Sequence, residues 1–139
     1  MKPIEEEPRV SNFQDVQRFH DVLGYEHREQ GPHLLPPSHQ AHRFAFLREE
    51  VDELEEACYQ GDLATALDSL VDLVYVALGT ADMMGLPWQA AWERVHAANM
   101  QKKPGVKAGR SGGPDAVKPE GWQPPVMDDL VLPRKKEGS

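Results

Sequence analysis

One cysteine, Cys58, stands in 139 residues, so an internal disulfide and a cysteine-based zinc finger are both excluded. A lone thiol fits a reducing compartment. Basic residues are also scarce, 15 against 23 acids, and the formal net charge is -8. No broad basic face is available to displace counterions, so no nucleic-acid partner is expected. Long apolar runs are missing as well. The longest strong one, Leu73 to Leu78, is far short of a membrane span, so no membrane partner is expected. The opening Met1-Lys-Pro-Ile-Glu-Glu-Glu is acidic and lacks the apolar core of a secretory leader. These absences lead to a cytoplasmic, soluble protein as the expectation. What remains is 40% hydrophobic and 27% charged, the balance of one globular domain.

The punctuation of the chain predicts helices. Ser11 with Gln14 is a capping-box pattern, and Phe13, Val16 and Phe19 share one side of a helix that Gly24 stops. Gly31, Pro32, Pro36 and Pro37 make 25–38 a loop. Ser38 is expected to cap a second helix from about His39 to Tyr59. Gly61 ends that helix, and Asp62 caps a third that runs to about Met84. Pro87 suits the first turn of a fourth, reaching about Lys103. No strand and no internal repeat is expected. The reading is all-α, a helical bundle of about four helices over 11–103. Residues 104–139 carry six prolines and six glycines, so they are expected to form an extended, partly mobile C-terminal arm.

Chemistry concentrates on the second and third helices. Phe44, Leu47, Val51, Leu54 and Cys58 follow 3-and-4 spacing, the pattern of a core stripe. Glu49, Glu50 and Glu53 fall on an arc beside it, bracketed by Phe46 and Ala57. Carboxylates so close repel one another. They form either a solvated acidic face, as Asp52, Glu55 and Glu56 are expected to, or a seat for a hard cation such as Mg²⁺. The third helix is apolar almost all round from Leu63 to Leu78, the pattern of a buried helix. Asp68 and Asp72 share one of its faces, with Asp72 inside Leu70-Val-Asp-Leu-Val-Tyr-Val-Ala-Leu. A buried carboxylate needs a base, a proton, a hydrogen-bond network or a metal. Glu49 to Asp72 contains nine acids and no Lys, Arg or His, which leaves a metal or a base from a distant helix.

On the fourth helix, Trp88, Trp92, Val95, Asn99 and Lys102 continue one stripe. The first three are core-like. Asn99 and Lys102 either reach phosphate oxygens or mark where the stripe leaves the core, with Lys102 favoured at a helix C-terminus. His20, His27 and His33 are expected in surface or loop roles.

These motifs together resemble the all-α nucleoside triphosphate pyrophosphohydrolases, which include MazG-like enzymes, dimeric dUTPases and phosphoribosyl-ATP pyrophosphohydrolase. Their signature is E-x-x-E on one helix and E-x-x-D on the next. Glu50 and Glu53 match the first half, Glu49 is an extra acid, and Asp72 matches the final Asp. Ser69 stands where the second Glu is expected, with Asp68 beside it. The run from Asp72 to Gly79, Met84-Gly-Leu-Pro, the A-N-x-x-K ending at Ala98 to Lys102 and Lys118-Pro-Glu-Gly-Trp122 look like the MazG-like and dUTPase-like branch. The resemblance spans about residues 40–125.

That resemblance implies a homodimer or higher oligomer that splits the α–β phosphoanhydride of a nucleoside triphosphate, dUTP being the first candidate. It implies Mg²⁺, with Mn²⁺ as a substitute, held by Glu50, Glu53 and Asp72, with Asp68 and Glu49 as further ligands. Glu49 or Glu50 would serve the attacking water. Lys102 and Asn99 would hold phosphate oxygens, with Arg43 as another candidate; Lys118 and Trp122 would bind substrate from the arm, and Trp122 or Phe46 would stack on the base. Competing readings are a phosphoribosyl-ATP enzyme, a carboxylate-bridged di-iron bundle and a non-enzymatic helical module. The di-iron site needs two E-x-x-H motifs, and Glu93-x-x-His96 supplies one.

Overall fold

A computed structural model describes residues 11–25, 31–107 and 115–132, so His27 lies outside the described residues. The fold is all-α: α1 (Asn12–Leu23), α2 (Pro37–Tyr59), α3 (Leu63–Met83), α4 (Trp88–Asn99) and a single-turn α5 (Asp128–Val131). One small ribbon pairs β1 (Lys103–Gly105) with β2 (Asp115–Val117). The chain divides into two compact units, 1–88 and 89–139, so the boundary expected at 103/104 falls inside the second.

In the first unit the local signals act as expected at most helix ends. Ser11 Oγ accepts from the Gln14 N–H at 3.2 Å, and the Gln14 side chain accepts from the Ser11 N–H at 2.9 Å. Gly24 closes α1 with φ 80°. Asp62 caps α3 by accepting from the Thr65 N–H at 3.1 Å and its hydroxyl at 2.6 Å. The start of α2 differs. Pro36 takes the cap position with no side-chain hydrogen bond, and the expected cap, Ser38, lies inside the first turn. Pro37 opens the helix because its fixed φ is already helical and its missing N–H costs nothing there.

The two helices of the hairpin meet along a seam displaced by about one residue from the expected stripe. On α2 the buried or half-buried line is Arg43, Leu47, Glu50, Leu54 and Ala57. The corresponding line on α3 is Ala66, Ser69, Leu73, Val76 and Thr80. Phe44, Val51 and Cys58, read as core, are exposed within the chain. The reason is the clamp at one end of the seam. Arg43 donates from Nη2 to the Val76 carbonyl at 2.9 Å and from Nε to Thr80 Oγ1 at 3.0 Å. A buried guanidinium needs such acceptors, and meeting them fixes the rotation of α2.

α1 also packs on α3. Phe19 meets Tyr75 edge-on at 5.6 Å, and Trp88 stacks on Phe13 at 6.2 Å. His20, expected at the surface, is buried, and its Nδ1–H donates to Asp82 Oδ2 at 2.6 Å. The expected burial of α3 is only partial. Leu67, Leu70, Val71 and Val74 are exposed, and Leu63 is 83% exposed, because α1 and α2 cover part of its perimeter. α3 is also long and apolar enough to cross a membrane by length and composition, which the run-length reading passed over because Thr65, Asp68, Ser69 and Asp72 interrupt the runs.

In the second unit, Trp92 and Val95 are exposed within the chain, contrary to the core role expected of them, and Ala98 is the buried residue of α4. The arm opens with strands where none was expected. Lys103 pairs with Val117, Pro104 with Ala116 and Gly105 with Asp115. Three-residue strands leave no alternation to read, and their paired residues lie 10 to 14 positions apart. Gly105 is required there: a Cβ would collide with the Val117 side chain. Further on, the Arg94 fork grips Asp129 at 2.6 and 2.8 Å and donates to the Val126 carbonyl at 2.9 Å. That bidentate pair ties the segment around α5 to α4.

Gly79 tests the helix packing. A Cβ on it would lie 2.8 Å from Arg43 Nη2 and 3.2 Å from His20 Nε2. A mid-helix Gly→Ala change normally gains about 1 kcal/mol. Here overpacking reverses the sign, and Gly79→Ala should destabilise by roughly 1–3 kcal/mol. A thermal or urea melt reads the difference.

Candidate functional site

The α2–α3 seam carries a carboxylate at its middle. Glu50 is half-buried, and its Oε2 is fully buried with no hydrogen-bond partner. Burial raises its pKa above the ordinary glutamate value. The charges of Glu53 and Asp72 raise it further, as do the nearness of the Glu53 carboxyl and the charge of Glu49. Glu49 and Glu53 from α2 and Asp72 from α3 all lie close enough to Glu50 for their charges to act on it.

The four acids do not share one environment. Asp72 is half-buried, while Glu49 and Glu53 are exposed. Glu49 and Glu53 line an open groove of about 780 Å³, with Arg48, Asp52, Glu56 and Gln60 among its walls. Asp52 and Glu56, read as a solvated face, thus border the same space. Asp68 is exposed, whereas Ser69, at the position expected to hold the second Glu, is buried. A serine in the seam needs less room and less solvation than a fifth carboxylate. Among the described residues, no group of three His, Cys, Asp or Glu side chains stands ready-made as a metal cage.

The donor set nevertheless fits a hard divalent cation. All of its atoms are carboxylate oxygens, the type Mg²⁺ and Mn²⁺ take. The buried Glu50 Oε2 is an acceptor awaiting a partner, and the charges that raise the Glu50 pKa are all negative. A cation between α2 and α3 would remove both costs at once.

The proposed phosphate ligands divide between the units. Arg43 lies in the first, one end of its guanidinium committed to Val76 and Thr80, a structural use that its position in sequence did not reveal. Its burial lowers its pKa, with the Tyr25 interaction opposing. Phe46, the other candidate for base stacking, sits 5.6 Å below that guanidinium. Asn99, Lys102, Lys118 and Trp122 lie in the second unit. There the Trp122 indole N–H donates to the Ala98 carbonyl at 2.7 Å. The Lys102 and Lys118 ammonium groups stand 5.2 and 5.0 Å from its ring centre. The buried pair of His20 and Asp82 was missed at the sequence level. His20 does lie on the α1 face one turn from Val16, and that spacing was the available signal.

Carboxylates from two helices of a tight hairpin, with a buried unpartnered oxygen among them, make an acidic site whose donor atoms fit a divalent cation. The chain belongs to the phosphoribosyl-ATP pyrophosphohydrolase family, whose model matches residues 16–99. That family lies within the MazG-like all-α nucleoside triphosphate pyrophosphatase superfamily, and its activity is pyrophosphohydrolysis of a nucleotide. The match runs from Val16, within α1, to Asn99 at the end of α4, and stops before the arm. No curated protein matches the chain.

The raised Glu50 pKa has a defined sign in stability. The folded state holds this proton more tightly than the unfolded state. Its favourable contribution is therefore complete below the unfolded carboxyl range and is lost as pH rises through the folded value. Glu50→Gln removes that loss. In metal-free buffer its melting temperature should hold or rise by a few degrees at pH 7, and the gain should vanish near pH 4. Melts of both proteins across that range check it.

Proposed function

We propose that the chain is a metal-dependent nucleoside triphosphate pyrophosphohydrolase that cleaves the α–β phosphoanhydride to release a monophosphate and pyrophosphate. The observation that carries this is the buried, unpartnered Glu50 oxygen among Glu53, Asp72 and Glu49. A triphosphate carries about four negative charges near neutral pH, and an acidic site accepts it only with divalent ions. Glu50, Glu53 and Asp72 would hold Mg²⁺ or Mn²⁺, with Asp68 and Glu49 as outer candidates. When bound, such an ion neutralises phosphate charge and lowers the pKa of an attacking water.

The chain's own residues do the rest. Glu49, exposed and next to Glu50 in sequence, would serve as general base toward an attacking water. Asn99, Lys102 and Lys118 would hold phosphate oxygens by charge-assisted hydrogen bonds. dUTP is the first candidate substrate, on the resemblance of the Asp72–Gly79 and Ala98–Lys102 segments to the dUTPase-like branch. The family match favours a second reading, phosphoribosyl-ATP, which would be cleaved at the same α–β position.

The uncovered apolar residues of α3 bear on the assembly. Leu70, Val71 and Val74 line a groove of about 480 Å³ with Val16 and Leu78. Apolar surface of this extent is normally covered in solution. We take a second copy of the chain as its cover, which makes the working protein a homodimer or larger. Sedimentation at micromolar concentration should show no stable monomer.

A phosphate-release screen with added pyrophosphatase tests the activity over eight NTPs and dNTPs together with phosphoribosyl-ATP. Mg²⁺-dependent release from at least one of them is expected, and silence across the set contradicts the reading. Asp72→Asn and Glu53→Gln should each lower turnover by roughly 100-fold or more, because positioning of the ion carries the transition-state charge. Turnover that stays near wild type in Asp72→Asn would remove that aspartate from the ligand set.

A further inference from the structure

Three buried polar side chains, one from each of α1, α2 and α3, meet around Gly79 in the first unit. Arg43 on α2 is 8% exposed, and His20 on α1 and Asp82 on α3 are 3% exposed each. The missing Cβ of Gly79 leaves the room, since that position lies 2.8 Å from Arg43 Nη2 and 3.2 Å from His20 Nε2. Arg43 donates from Nη2 to the Val76 carbonyl and from Nε to Thr80 Oγ1. Thr80 Oγ1 donates in turn to the same Val76 carbonyl at 2.8 Å. On the α1 side the guanidinium meets a ring that is itself anchored, His20 on Asp82 at 2.6 Å.

A guanidinium so buried, with the Phe46 ring 5.6 Å from its Cζ, is poorly placed to take a phosphate arriving from solvent. Its grip falls instead where it sets register. Glu50 lies seven residues after Arg43 on α2, and Asp72 lies four before Val76 and eight before Thr80 on α3. The two helices are joined by a short turn and run in opposite directions. Similar steps from the clamp along each of them bring Glu50 and Asp72 to one level, and the Asp72 charge does act on Glu50. A carboxylate about 6 Å from a helix axis moves about 0.5 Å for every 5° or so of rotation. Metal–ligand distances tolerate only about 0.2 Å. A small loss of register at Arg43 therefore reaches the acids as a large one.

We propose that Arg43 is a positioning residue for the acidic site: through Val76 and Thr80 it holds α2 and α3 in the register that sets Glu50 against Asp72, and it does not contact substrate. The consequence for metal binding rests on the reading of these acids as a cation seat, whereas the register itself does not. Charge alone predicts the opposite sign. Arg43 is a cation on the helix that carries Glu49, Glu50 and Glu53, so its removal would strengthen cation binding if only its charge mattered. A phosphate ligand, for its part, would leave the affinity for a metal without nucleotide undiminished when removed.

The test is Mn²⁺ titration of the full chain, without nucleotide, followed by electron paramagnetic resonance on the wild type, Thr80→Val and Arg43→Met. Carboxyl-carbon NMR of the same proteins, free of metal and at one pH, accompanies it. Thr80→Val is nearly isosteric and keeps the Arg43 charge while removing the acceptor of its Nε. Arg43→Met fills similar volume without the charge. Thermal melts set a working temperature at which each variant is fully folded, so that lost stability alone leaves the affinity unmoved. Both variants should bind Mn²⁺ about tenfold more weakly than the wild type, the loss that follows removal of a group that orients metal ligands. In the metal-free spectra the Glu50 resonance should shift in Thr80→Val. The proposal is overturned if either variant binds Mn²⁺ at least as tightly as the wild type. Such a result in a chain that hydrolyses nucleotide leaves the enzymatic reading standing and Arg43 a structural residue only. A wild type that binds no Mn²⁺ removes the cation seat, and the metal-free spectra then decide. A Glu50 resonance that shifts in Thr80→Val keeps Arg43 as the residue that positions Glu50, and one that stays in place overturns that as well.

Discussion

The seam between α2 and α3 has to accommodate a carboxylate with further acids pressing on it. Glu50 sits at the middle of the α2 line that faces inward, between Leu47 and Leu54, with one oxygen out of contact with water and without a partner. An apolar residue at that position would complete an ordinary helical hairpin. The rest of the first unit makes the substitution tolerable. Arg43 locks one end of the seam onto Val76 and Thr80, and at the other the Asp62 N–H donates to the Ala57 carbonyl at 2.8 Å across the turn. Between these anchors the helices have little freedom to rotate Glu50 into solvent. The stability lost at Glu50 is thus held by neighbours, the arrangement expected of a site that gains its missing charge from a ligand.

The same anchors explain why apolar surface lies elsewhere. With α2 rotated to satisfy Arg43, Phe44 and Val51 turn outward, and α3 keeps Leu67, Leu70, Val71 and Val74 uncovered. Single exposed leucines are ordinary, but several on one helix are not. The proposed second copy would bury this surface, and it would also exclude water from the neighbourhood of the acids. Exclusion of water strengthens every charge interaction in such a site.

Much of this was legible in the sequence because the signals are local. Capping at Ser11 and Asp62, the stops at Gly24 and Gly61, and the existence of four main helices follow from residues within a few positions of one another. The acid arc was legible too, since spacing on a helix places Glu49, Glu50 and Glu53 together whatever lies around them. The exact rotation of α2 was not. It depends on Arg43 finding a carbonyl 33 residues later and a hydroxyl 37 residues later, and no periodicity encodes that. The His20–Asp82 pair spans 62 residues and escaped for the same reason. The ribbon of β1 and β2 is too short to leave a pattern, and the cation pair on Trp122 joins three residues from separate elements. The family match reaches the level of nucleotide pyrophosphohydrolysis, and the choice of base and sugar depends on pocket contacts that no motif in this chain spells out.

Glu50 is the point on which the account stands, and its carboxyl can be observed directly. Carbon-detected NMR of the glutamate carboxyl groups, assigned with Glu50→Gln, follows its titration with and without Mg²⁺. The Glu50 carboxyl should titrate above the ordinary glutamate range without metal and fall below it when Mg²⁺ is added, because the cation favours the charged form. A Glu50 carboxyl that titrates in the ordinary range and does not move with Mg²⁺ would contradict it.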